Sequence, residues 1–214
     1  MTRVKACGIT NLDDARRAAD LGAWALGMIF WSESPRSCEL EDAEEIGAEL
    51  RRRLELVGVF VNATLDQVAD VADRAELSIL QLHGDEGPSY CGEAARRTGC
   101  KVMKAVRVKD ASSIADVHRF HTDFHMLDTF VPDARGGTGE SFSWDLAAQH
   151  RGDIPLVLSG GLDPDNVGRA MAVAAPFAVD SASGTEAEPG RKDPEKLKAF
   201  FGAVEAADGV ASPI

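Results

Sequence analysis

The chain has 214 residues, 44% of them hydrophobic and 27% charged, which suits one domain with a full core and excludes a disordered chain. A net charge of −12 argues against nucleic acid as the main partner. No apolar run approaches the roughly 20 residues that cross a bilayer and no signal-peptide pattern opens the chain, so no membrane is expected and the default address is cytoplasmic.

Short apolar runs then alternate with longer amphipathic ones. Strands are predicted at 3–8, 24–30, 56–61, 77–83, 101–107, 124–130, 155–159 and 177–181. They are apolar at consecutive positions, as strands buried on both faces are. Helical patterns lie between them, for example at 11–21, 41–54, 65–75 and 194–204, and Asn11, Thr64, Ser112 and Asp163 are placed to cap helices. Eight strand–helix units at a spacing near 25 residues predict one α/β domain over 1–214, a closed (β/α)8 TIM barrel with a short tail from about 206. An open doubly wound sheet would carry a dinucleotide fingerprint after its first strand, and Cys7-Gly8-Ile9-Thr10 is not one.

In such a barrel the carboxy-terminal strand ends and the loops after them build the active site. Lys5, Cys7, Arg36, Gln81, His83, Arg107, Asp128, Gly160, Gly161, Asp180 and Ser183 all fall there. The four cysteines, Cys7, Cys38, Cys91 and Cys100, have no metal or redox spacing and read as free thiols; no His/Cys/Asp spacing suggests a metal site. Cys7 follows Lys5 by two residues, so both side chains leave one strand on the same face, and a nearby ammonium favours the thiolate, which can be base or nucleophile. Asp128 sits among Met126, Leu127 and Phe130, a setting in which a carboxyl is expected to resist ionisation. Arg36, after the rigid Ser34-Pro35 turn, suits a substrate carboxylate. His83 is either a wall residue or a satisfied rim histidine.

Glycines follow the last three predicted strands. Gly160-Gly161 and Ser183-Gly184 stand where barrels of this kind hold a phosphate through backbone amides. Gly136-Gly137-Thr138-Gly139 reads equally as a lid or as a long hairpin-like loop.

Assembled, these residues resemble the phosphoribosylanthranilate isomerase family over nearly the full length. Lys5-Ala6-Cys7-Gly8-Ile9-Thr10 matches the opening motif, with Ala6 where isoleucine is usual. Ser34-Pro35-Arg36, Val57-Gly58-Val59-Phe60-Val61-Asn62, Gln81-Leu82-His83-Gly84, Leu127-Asp128, the glycine stretch at 136–139, Ser159-Gly160-Gly161-Leu162 and Asp193-Pro194-Glu195-Lys196 follow in family order. The resemblance implies an Amadori rearrangement of a phosphoribosyl substrate. Asp128 would be the general acid, Cys7 the general base, and Arg36 the holder of the anthranilate carboxylate. Lys5, Gln81 and His83 would line the substrate, and Gly160, Gly161, Ser181, Ser183 and Gly184 would hold its phosphate. No cofactor is implied. Ala182 replaces the first of two serines usual in the family, and Ser181 is expected to compensate. A histidine-pathway phosphosugar isomerase, or a barrel that only binds a phosphorylated metabolite, are the competing readings; the first normally uses two aspartates, and the second needs no Cys7–Asp128 pair.

Overall fold

The computed structural model describes residues 1–128 and 140–210. Eight parallel strands close on themselves in chain order: β1 (Arg3–Cys7), β2 (Ala25–Ile29), β3 (Glu55–Phe60), β4 (Ile79–Leu82), β5 (Lys101–Arg107), β6 (Phe124–Asp128), β7 (Leu156–Ser159) and β8 (Ala178–Ser181). The helices between them are α1 (Leu12–Asp20), α2 (Leu40–Leu50), α3 (Leu65–Arg74), α4 (Pro88–Thr98), α5 (Ala111–Val117), α6 (Glu140–Ala147) and α7 (Val167–Ala174). After β8 come a single 3-10 turn (Ser183–Thr185), a small hairpin of β9 (Glu186–Glu188) and β10 (Arg191–Lys192), and α8 (Pro194–Val210). Closure pairs Lys5 with Asp180 across β1 and β8, so the barrel sheet has no open edge. Helix α8 runs through Val210, so residues 206–210, read from sequence as the start of a tail, are helical.

Strand pleating sorts side chains into two shells. Inward residues Ala25, Val57, Ile79, Met103, Met126, Val157 and Ala178 fill the lower barrel, and the rings of Trp24, Phe124 and Phe177 close its floor at centroid distances of 5.3 to 5.8 Å. Each fully buried valine, isoleucine or methionine among them contributes roughly 1.5–3 kcal/mol. Outward residues such as Leu26, Leu80, Leu127 and Val179 pack under the helices. With the lower interior apolar, the polar inward positions gather at the top.

Two helix starts follow the sequence reading: Asn11 accepts from the Asp14 amide, and Thr64 forms a capping box with Gln67. Two differ. The cap of α5 is Asp110, which accepts from the amides of Ser112 and Ser113, because the extended backbone turns into the helix at Asp110 and Ser112 already lies within it. Asp163 closes a turn over 163–166 instead of capping α7 directly, accepting from the amides of Asp165 and Asn166.

Candidate active site

Cys7 and Asp128 are the last residues of β1 and β6, and both lie on the inward face of the pleat. Cys7 is buried, and Lys5 beneath it has no exposure. Gly27 on the neighbouring strand makes that possible: a Cβ there would come within 2.8 Å of both Cys7 Sγ and Lys5 Nζ. Gly8, at φ 76°, turns the chain out of β1 in a conformation that glycine adopts without penalty.

The electrostatics around the thiol differ from the sequence expectation. Lys5 Nζ donates to Asp180 Oδ1 at 2.6 Å, and Ser159 Oγ donates to the other Asp180 oxygen at 2.9 Å. Burial opposes the charge of Lys5, but Asp180 and Cys7 outweigh it and raise its pKa. Burial is also the largest influence on Cys7 and pushes its thiol up; Lys5 pulls it down, and Asp180 pushes it up again. Burial therefore outweighs the pull of Lys5, and Asp180, which pairs with that cation, offsets part of the pull. Lys5 supports the site from below and is enclosed away from any ligand.

Asp128 is less enclosed than its neighbours suggest, with a side chain 20% exposed. Leu127 points outward into the helical jacket and Met126 shares its face, while Phe130 lies outside the described residues. Its partner is His83, whose Nε2 lies 3.3 Å from Asp128 Oδ2, while Gln81 Nε2 lies 3.0 Å from His83 Nδ1. With the Gln81 amide donating to Nδ1, the ring proton rests on Nε2 and points at Asp128. Gln81 and His83, expected against the substrate, thus form a line of donors ending on the carboxylate. Below them Glu86 accepts from the amides of Asn62 and Gly84 and pairs with the buried Lys104 at 2.8 Å, which holds the loop after β4 in place.

Arg36 reaches the rim, but Glu186 of β9 meets it: Arg36 Nε stands 2.9 Å from both carboxylate oxygens and Nη2 stands 2.8 Å from one. Glu186 is nearly buried while Arg36 remains 23% exposed, and Nη1 is not among the nitrogens that meet Glu186. Lys192 of β10 is buried beside them, bonded to Ala182 O and Thr185 Oγ1. Sequence reading passed over Glu186 and Lys192 because they follow the barrel strands in a hairpin with no apolar pattern.

The loops after β7 and β8 touch backbone to backbone. A Cβ on Gly184 would fall 2.1 Å from Leu162 O, and Ser181 Oγ donates to that same oxygen at 2.7 Å. Ser181 therefore laces the two loops together; it is the outward residue of the pleat, buried, and not placed to compensate for Ala182. Gly160 and Gly161 have φ of 101° and 67°, and the amides of Gly160, Gly161, Ser183 and Gly184 donate to no other described residue. The glycine stretch at 136–139 lies outside the described residues. One grouping that sequence spacing did not reveal is at the other end of the barrel, where His118, His125 and His150 come together.

The fold and rim define a single (β/α)8 barrel with a thiol and a carboxylate across its mouth and two adjoining amide-bearing loops on one side. Residues 4–203 match the family model described as N-(5′-phosphoribosyl)anthranilate (PRA) isomerase. The N-(5′-phosphoribosyl)anthranilate isomerase of Citrifermentans bemidjiense is 50% identical over 198 residues, covering 92% of this chain and 94% of its own. The crystal structure of the Thermotoga maritima phosphoribosyl anthranilate isomerase superposes with a TM-score of 0.85 at 42% identity, covering 98% of this chain and all of that one. Another, in complex with reduced 1-(o-carboxyphenylamino)-1-deoxyribulose 5-phosphate, gives 0.81 at 39% identity over 96% of this chain and all of that one. The chain belongs to the N-(5′-phosphoribosyl)anthranilate isomerase family.

Proposed function

We propose that the protein converts N-(5′-phosphoribosyl)anthranilate to 1-(2-carboxyphenylamino)-1-deoxyribulose 5-phosphate in tryptophan biosynthesis, with Asp128 as acid and Cys7 as base. The observation that carries the assignment is the placement of these two residues as the inward-facing ends of β1 and β6. Asp128 gives a proton to the ring oxygen as the C1–O bond breaks, and the nitrogen lone pair forms the C1=N iminium. The Cys7 thiolate takes the proton from C2, and the released electrons make the enamine, whose enol then becomes the ketone. The substrate's own nitrogen supplies the electron sink.

His83 donates to one oxygen of Asp128 and leaves the other to face the sugar. Arg36, braced by Glu186, offers its outer N–H groups to the anthranilate carboxylate. The amides of Gly160, Gly161, Ser183 and Gly184 serve the phosphate, in the position where barrels of this class hold one. A cytoplasmic setting is consistent with four free thiols and with the lack, among the described residues, of any helix long and apolar enough to cross a membrane.

Cys7→Ser and Asp128→Asn are each expected to lower kcat by about a hundredfold or more, the usual contribution of a positioned acid or base. Turnover of N-(5′-phosphoribosyl)anthranilate, together with complementation of a tryptophan auxotroph lacking this isomerase, tests it. Near-normal turnover in either variant rejects the assignment.

A further inference from the structure

The outward face of β6 carries one polar residue amid the hydrophobic jacket: His125, buried between the end of α5 and the residues that follow α6. His118 caps the end of α5 and His150 lies three residues past α6, so three separate elements deliver three imidazoles to one spot. One ring nitrogen from each lies within 4.8 Å of the other two. His125 Nδ1 and His150 Nε2 are already 3.0 Å apart, and the rings of His118 and His150 stand 5.1 Å apart. Around a tetrahedral zinc ion with Zn–N bonds of about 2.0–2.1 Å, ligand nitrogens sit about 3.3 Å apart, so the buried pair needs to open only slightly. His118 is exposed and free to turn toward them.

We propose that His118, His125 and His150 bind one divalent first-row transition-metal ion, with zinc the best match. The donor set is imidazole, which suits zinc, nickel and copper, and not the oxygen-seeking magnesium or calcium. The orientation of His125 supports this independently. Its Nε2 lies 2.8 Å from Phe120 O, so the proton sits on that nitrogen and the Nδ1 lone pair is turned into the cluster. A ligating histidine is ordinarily held in this way by a carbonyl behind it. Arg151, next in sequence to His150, is turned to the carbonyls of Ala148 and His150.

The site lies near the amino-terminal end of β6, three residues or roughly 10 Å along the strand from Asp128. Its role is therefore a clip joining α5, β6 and the end of α6, separate from the chemistry at the rim. Chelator-treated full-length protein titrated calorimetrically with Zn2+ is expected to bind one ion per chain with micromolar or tighter affinity. Saturation should raise Tm by on the order of 5–10 °C. His118→Ala and His150→Gln should each weaken binding at least tenfold, His150→Gln retaining a donor to His125, while His121→Ala should leave it unchanged. The Co2+ form should show the visible bands of a nitrogen-ligated tetrahedral site, and isomerase turnover should not depend on occupancy. Binding that survives both variants, a thiolate charge-transfer band, or no heat at a hundredfold excess of Zn2+ would each overturn the proposal.

Discussion

At Cys7 burial outweighs a favourable neighbour: Lys5 draws the thiol toward ionisation, Asp180 offsets part of that pull, and burial decides the balance. Acid and base share one proton in the working state, Asp128 protonated and Cys7 not, and that state is one arrangement of the singly deprotonated pair. Its share of the pair does not change with pH until the last proton leaves the sulfur. On its alkaline side the pH profile of kcat/KM is thus expected to fall only above the ordinary thiol range near 9.0. Asp180→Asn, which removes a carboxylate that holds the thiol up, should move that alkaline limb to lower pH. A wild-type limb below 9.0, measured against alkylation of Cys7, would contradict the burial argument.

Among the elements, the paired loops after β7 and β8 are the most constrained. Gly184 stands against Leu162 O with no room for a methyl group, and that obstacle is backbone, which cannot swing aside. Gly184→Ala is expected to separate the loops, lower Tm by roughly 3–10 °C and raise KM at least tenfold with a smaller change in kcat. Unchanged KM for the phosphorylated substrate would show that the loops do not serve the phosphate. The glycines were legible in sequence, but the contact that makes Gly184 necessary joins two segments some twenty residues apart. The same limit explains Ser181: its position next to the motif suggested a phosphate ligand, whereas the pleat turns it outward to Leu162. Ser112 was the capping residue read from sequence, and the backbone path into α5 gives that place to Asp110.

The whole molecule buries more titratable groups than its rim requires. Cys7, Cys38, Cys91 and Cys100 all have pKa values raised chiefly by burial, Cys38 to about 12. The folded protein keeps these protons where the unfolded chain releases them, so their contribution to stability is complete below about 9.0 and declines as pH rises toward 12. Lys5, raised by its partners against burial, acts in the same direction, and Lys192, lowered by burial, acts in the other. At the acid end His150, lowered to about 4, and His125, also lowered, remove stability as pH falls below 6.5. Denaturant midpoints across pH are therefore expected to form a plateau that falls on both sides. A midpoint that rises from about pH 8 to about pH 10.5 would refute the thiol part.

The order of strands and helices, the closed barrel and the rim positions of Cys7 and Asp128 were determined by the sequence alone. They rest on local periodicity, and alternation of this kind admits few other folds. Tertiary structure alone decided which charges meet. Lys5 with Asp180, Arg36 with Glu186, His83 with Asp128 and His125 with His150 are joined by barrel closure and helix packing over separations of 25 to 175 residues. Coulomb attraction and desolvation act on distance in space, which chain position does not encode.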